Sequence, residues 1–263
     1  MFGIFKTMAT AGAIAASALM TTAAHAEGWI VGLVDGKSIV TIDPASRKVN
    51  STANIRGAGM ILGIDVRPAD GMMYGVTSDG TVVAIDIRSG QATKKSKLTE
   101  TWKRSAATTF DFNPVADRLR LMSAEGVSWR INVDDGKVIV DGSHKFKDGD
   151  TNAGRTPRIV AGAYTNSFKD TKATTLYNID AATGTLVTQA PPNDGILNTV
   201  GSLGIPVTGT VAFNIVSSGP DQNAGWLVAG GSLYSVDLKT GKATMAGKIS
   251  GLNGTLTDIA WMN

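Results

Sequence analysis

The sequence predicts an all-β fold: a β-propeller of five four-stranded blades, closed by the C-terminal strand completing the N-terminal blade. Three observations predict it. A strand-and-turn unit recurs along the chain, no stretch after the first 26 residues keeps a helical period, and the two ends of the repeat array are offset by one strand.

The unit is clearest in Thr109–Gly136, TFDFNPVADRLRLMSAEGVSWRINVDDG, where three short apolar runs are separated by turn residues. Ile64–Gly90, IDVRPADGMMYGVTSDGTVVAIDIRSG, repeats it with an apolar–Asp–apolar start, a Pro–Ala–Asp turn and a closing glycine. That glycine recurs at Gly90, Gly136, Gly195 and Gly241, with steps of 46, 59 and 46. A worn first copy, GWIVGLVDGKSIVTIDPASRK, carries Arg47 near the marker position. Periods of this size, with several strands each, indicate propellers or related arrays.

Each copy has room for four strands. In the second they are Leu62–Arg67, Met72–Thr77, Thr81–Ile87 and Gln91–Leu98. Asp79-Gly80, Asp135-Gly136 and Asp194-Gly195 supply the positive φ that tight turns require. The last strand, Leu256–Trp261, matches the first strand of the unit, whereas the first copy begins at the second strand. A ring closes that gap and hides the sheet edges. The blades are then Leu256–Trp261 with Gly28–Ile55, followed by Ile61–Leu98, Ala107–His144, Arg158–Leu203 and Gly209–Ile249. The fourth copy is about thirteen residues longer than its neighbours, so the count could differ by one.

Met1–Ala26 reads as a secretory signal peptide. Lys6 precedes an Ala-rich apolar run, and Ala24-His25-Ala26 offers a small–x–small cleavage site. The run is too short and too Ala-rich for a membrane span. The expectation is cleavage near Ala26, residence in the periplasm or medium, and one domain over residues 27–263. The 25 basic and 22 acidic side chains nearly balance, which implies no nucleic-acid or anionic-membrane partner. The chain has no cysteine, which excludes disulfides, thiolate chemistry and Cys-ligated metal. With His25 lost, His144 stands alone, reads as a solvated loop residue, and excludes a two-His metal site within one chain.

Four stretches could carry function. Lys94–Arg104, KKSKLTETWKR, reads as a polyanion strip with Trp102 as stacking residue, or as an exposed outer strand with edge lysines; the second is favoured. The long polar connection His144–Arg158 spaces Asp148, Asp150 and Asn152 as a calcium loop spaces its oxygen ligands. It departs from that pattern at Gly154 and lacks the closing Glu, so a solvated Gly-rich turn is the blander reading and calcium the only cofactor in view. Gln189–Gly204, QAPPNDGILNTVGSLG, is a stiffened hairpin, or a rigid loop presenting Asn193, Asp194 and Asn198 to a ligand. Asp65, Asp111 and Asp258 occupy one repeated position on the inner strands and are the catalytic candidates, by analogy with paired carboxylates across a sugar bond. Repetition alone also yields equivalent acids in successive blades, and that structural role is favoured.

Two further repeated sets read as fold-encoding. Asp43, Asp86 and Asp237, with Asn132, each follow an apolar strand and suit an Asx turn. Arg67 with Asp70, and Arg118 with Asp117, resemble exposed turn-bracing pairs of small energetic value.

The blocks DFNPVADRLRLMS, DGDTNAG, AYTN and PPNDGILNTVGSLG resemble the signature of an uncharacterised group of bacterial exported proteins known as a domain of unknown function. The resemblance covers most of Ile61–Ile249. It implies export and a propeller-like repeat, and it carries over no substrate, cofactor or catalytic residue.

The expected function is a non-enzymatic binding or interaction module, a monomer taking a protein, glycan or small-molecule ligand on one ring face. The alternative is a calcium-assisted hydrolase or lyase acting on a carbohydrate or lactone through channel carboxylates. An envelope-associated structural module is the third reading. A propeller alone does not choose among them.

Overall fold

The computed structural model describes residues 28–103 and 109–262; Met1–Ala26, the expected signal peptide, lies outside them. Those residues form five antiparallel sheets arranged as a five-bladed propeller. Blade 1 joins β21 (Leu256–Met262) to β1 (Trp29–Val34), β2 (Ser38–Ile42) and β3 (Val49–Asn54). Blade 2 is β4 (Ile61–Val66), β5 (Met73–Thr77), β6 (Thr81–Ile85) and β7 (Ala92–Lys97). Blade 3 is β8 (Thr109–Asn113), β9 (Arg118–Met122), β10 (Ser128–Ile131) and β11 (Val138–Val140). Blade 4 is β13 (Ile159–Tyr164), β14 (Leu176–Asp180), β15 (Thr185–Gln189) and β16 (Ile196–Ser202). Blade 5 is β17 (Val211–Gly219), β18 (Gln222–Ala229), β19 (Ser232–Val236) and β20 (Ala243–Lys248).

The ends close the ring as their offset predicts. β21 pairs antiparallel with β1 from Trp29 opposite Met262 to Val34 opposite Leu256. The innermost strands β21, β4, β8, β13 and β17 then touch in a closed circuit. Burial follows distance from the axis. Inner strands such as Ile159–Tyr164 are buried throughout because blades cover both faces, so they read as apolar runs. Outer strands such as Val49–Asn54 and Ala243–Lys248 are mostly exposed and polar.

The marker residue of the repeat is a seam between blades. Gly90, Gly136, Gly195 and Gly241 all have φ between 69° and 80°. A Cβ at each would overlap a main-chain oxygen near the outer edge of the preceding blade: Asn54, Lys97, Ser143 and Gly201 respectively. The carbonyls of Gly90, Gly136 and Gly195 accept hydrogen bonds from Arg56, Thr99 and Lys145 at 2.9–3.0 Å. The residues four before three of these glycines, Asp86, Asn132 and Asp237, each accept the marker N–H at 2.8 Å on their own carbonyl, and their side chains cap the turn. Asp43 does the same for Arg47, which sits at φ 59° without glycine's freedom.

Two expectations are corrected and one is borne out. The connection after His144 is not wholly irregular: β12 (Lys145–Phe146) pairs parallel with β16 and adds a fifth strand to blade 4. Trp102 is no stacking platform. It is 6% exposed and packs edge-on against Trp129 at 5.0 Å between blades 2 and 3. The bulk of the extra length in the fourth copy is the loop 165–175 between β13 and β14, so the blade count stays five.

Candidate functional site: the central channel

The inner-strand acids come together. Asp65 on β4 and Asp111 on β8 are 4% and 3% exposed, and Asp258 on β21 is half-buried. Each turns an oxygen onto the main chain of the next blade. Asp258 Oδ2 accepts from Ile64 N at 2.9 Å, Asp65 Oδ2 from Phe112 N at 2.8 Å, and Asp111 Oδ1 from Tyr164 N at 2.9 Å. Asn214 on β17 stands at the corresponding place in blade 5 and donates to Asp111 Oδ2 at 3.3 Å. The run AFN of blade 5 beside TFD of blade 3 is the signal that places it.

Burial raises all three carboxyls, and neighbouring acids add to it for Asp111 and Asp258. Burial drives Asp65 up to about 7, against the N–H groups of Phe112 and Val66. Asp111 rises well above the carboxylate range through burial, then through the charges of Asp65 and Asp258. Asp258 rises through burial and Asp65. Interacting acids of this kind titrate as a set, and burial favours their protonated forms.

The channel opens at both ends. At the ends where the inner strands begin lies a cavity of about 480 Å³ to which all five blades contribute. Ile61, Leu62, Val160 and Val211 give it apolar walls, and Asp35, Glu125 and Arg158 give it charge. At the other end is a cavity of about 230 Å³ whose lining includes Asp65 and Asn214.

The remaining predicted residues lie elsewhere. Asn193, Asp194 and Asn198 sit at the outer part of blade 4, and neither mouth is lined by them. Asn193 Oδ1 accepts from Arg120 Nη2 at 3.0 Å, and Asn198 Nδ2 donates to the Ala190 carbonyl at 3.3 Å. Asp150 is turned inward onto β16: its oxygens accept from Thr199 N at 2.7 Å, Thr199 Oγ1 at 2.6 Å and Asn152 N at 2.8 Å. Asn152 Nδ2 donates to Thr199 Oγ1, while Asp148 is exposed. The long loop is thereby braced to blade 4. Among the described residues no three His, Asp or Glu side chains are grouped to hold a metal ion.

Two buried arginines were misread or missed in the sequence. Arg67 is not an exposed turn brace. It is 8% exposed and joins three acids: Asp70 in its own turn at 3.1 Å, and Asp117 and Asp134 in blade 3 at 2.6 and 3.0 Å. Arg120, only 1% exposed, donates to Asp141, Ser128 Oγ, Tyr164 Oη and Asn193. Arg118 donates to the Asp117 and Ala116 carbonyls. His144 is also not solvated: its Nε2 lies 3.2 Å from Met122 Sδ, and burial with the Arg120 charge lowers it to about 4. Arg67 directly follows β4 and Arg120 stands on β9, and several of their partners, Asp117, Asp134, Tyr164 and Asn193, come from positions far along the chain.

Solved structures share the architecture at low identity. A structural genomics protein of unknown function from Bacteroides thetaiotaomicron VPI-5482 superposes with a TM-score of 0.53 at 14% identity, over 89% of this chain and 64% of that one. An auxiliary nutrient binding protein from Bacteroides ovatus ATCC 8483 gives 0.48 at 14% identity, over 81% and 57%. A protein of unknown function from Bacteroides caccae gives 0.41 at 13% identity, over 85% and 73%. The likeness to the Bacteroides thetaiotaomicron protein, at 14% identity, shows the fold alone. Comparison with curated proteins finds no match. Among the described residues no helix is long and apolar enough to cross a membrane. The model of one family, described as a domain of unknown function (DUF4394), matches residues 38–260, and the chain belongs to that family.

Proposed function

We propose that this protein is a non-enzymatic binding module whose small-molecule ligand enters the wide mouth of the central channel. The observation that carries the reading is the convergence of all five blades on one cavity of about 480 Å³, apolar in its walls with three charged groups at hand. Ligand sites are of this size and make-up. The channel acids support binding over hydrolysis. A glycosidase pair must flank an accessible bond, whereas only Asp65 of the three acids lines a cavity, and Asp111 is buried and holds the next blade's main chain. The leader Met1–Ala26 supports export to the periplasm or medium.

The test is a small-molecule thermal-shift screen on the wild type and on Thr210→Trp, which fills the mouth from an exposed lining residue. A ligand of the mouth stabilises the first and not the second. Turnover of a carbohydrate or lactone that disappears in Asp65→Asn would establish the hydrolase reading instead.

A further inference from the structure

We propose that the narrow mouth is a second ligand site, built for a neutral single-ring polyhydroxylated molecule of the monosaccharide class. It lies at the opposite end of the channel from the wide mouth, and a different set of observations carries it.

Size comes first. A dry cavity of about 150 Å³ holds a benzene ring. The narrow cavity, about 230 Å³, takes one six-membered ring with its substituents.

The lining is of mixed polarity and carries no Lys, Arg or His. Asp65, Asn214, Ser167 and Ser217 offer a carboxyl, an amide and two hydroxyls, the donor and acceptor mixture that hydroxyl groups require. The Asp65 carboxyl accepts from the Phe112 and Val66 N–H groups, which leaves lone pairs over. Asn214 gives one amide hydrogen to Asp111 and keeps its other hydrogen and its carbonyl oxygen. Trp261 and Met262 supply apolar wall on the remaining side. The Trp261 ring is held in place by Trp226, stacked on it with centroids 6.5 Å apart and planes 15° from parallel. An indole wall beside hydrogen-bonding groups suits a ring with an apolar C–H face and a polar rim.

The serine wall is fixed in advance. Asn166, at φ 54°, accepts from Asp221 N at 2.9 Å and donates to the Ala173 carbonyl at 3.0 Å. Asn223 Oδ1 accepts both Asn166 N and Ser217 Oγ, and Ser217 Oγ accepts Ser167 N. This knot ties the first turn of blade 4 to that of blade 5, so little ordering remains for a ligand to impose. An anionic ligand is disfavoured, since no Lys, Arg or His lines the cavity to pair with it.

Calorimetric and tryptophan-fluorescence titration of the full chain tests this, with glucose, galactose and xylose as neutral probes and glucuronate and choline as charged ones. Saturable binding of at least one neutral sugar is expected. Trp261→Ala and Ser167→Leu should each weaken it by at least about tenfold, the equivalent of one or two lost hydrogen bonds. Ser167→Leu fills open space and removes no side-chain bond described here, so it should melt like the wild type. Thr210→Trp, at the other mouth, should leave sugar binding unchanged. The proposal is overturned if no neutral sugar binds, if binding survives both narrow-mouth variants, or if glucuronate or choline binds in preference.

Discussion

Asp65 on blade 2 accepts a 2.8 Å hydrogen bond from the main-chain N–H of Phe112 on blade 3. The bond ties two inner strands together at the axis and places a carboxyl where water is scarce. Its counterparts, Asp258 to Ile64 and Asp111 to Tyr164, extend the tie from blade 1 to blade 4. The repeated acid is thus an inter-blade fastener, and its cost is set by its protonation.

That cost gives a pH dependence. The Asp65 carboxyl stands at about 7 in the fold and at its ordinary 3.8 in the unfolded chain. Between those values the folded state keeps a proton that the unfolded state releases. Its contribution is therefore complete below about pH 4 and is lost as pH rises through 7. His144, lowered from 6.5 to about 4, has the opposite slope between those values. Above pH 6.5 the acids act alone, and stability should fall by up to about 1.4 kcal/mol per pH unit for each carboxyl still protonated in the fold and ionised in the unfolded chain, and by about half that at the folded group's midpoint. Asp65→Asn should flatten that limb in denaturant melts from pH 6.5 to 8. A wild-type limb that rises instead would show the acids ionised without penalty.

Arg67 bridges blades 2 and 3 through three carboxylates that are 27–47% exposed in their side chains. Arg67→Ala should cost about 1–3 kcal/mol, below the value of a fully buried pair because water screens the acids. Arg67→Lys should recover less than half of that, since an ammonium lacks the fork that engages both oxygens of Asp117 at 2.8 and 2.6 Å. Chemical denaturation of the three proteins measures both.

Much of this architecture could be read in the residues, and the reason is repetition. The Asp86–Gly90 and Asn132–Gly136 turns are local, so their chemistry is written in adjacent positions. The inner-strand acids were visible as a set for the same reason. What stayed hidden depends on neighbours far apart in the chain. Arg67 gave no sign that Asp134 would reach it. Asn193 looked like a free loop amide until Arg120, 73 positions earlier, was seen to occupy it. Asp150 fitted a calcium spacing, but Thr199 engages both of its oxygens. The cavities are invisible in sequence because six separate stretches line the wide mouth and four the narrow one.

The seam glycines differ from positive-φ glycines in open turns such as Gly184. Gly136 (φ 78°) abuts the Lys97 carbonyl, whereas Gly184 (φ 66°) has open space where a Cβ would stand. Gly184→Ala should cost about 1 kcal/mol for the left-handed backbone alone. Gly136→Ala should cost clearly more, because two blades must separate to admit the methyl group. Equal losses in urea melts would contradict the seam.

Ring closure predicts a cooperative failure. Deleting Gly254–Asn263 removes β21 and exposes the inner edge of β1 along its paired length. The truncated chain should unfold or self-associate in analytical ultracentrifugation. A monomer with unchanged melting would refute closure by this strand.

Asp150 also bears on calcium. With both oxygens engaged by Thr199, the loop offers no ready ligand set, and melting in EDTA and in ~10 mM calcium should agree within error. A millimolar site would raise it by several degrees.

The central claim is that the wide mouth binds and the acids hold the ring. The most direct measurement is the paired thermal-shift screen of wild type and Thr210→Trp. The account predicts at least one small molecule that raises the wild-type melting temperature by several degrees and leaves the filled variant where it was. A screen in which every stabilising ligand acts equally on both proteins would leave the wide mouth without a ligand and contradict it.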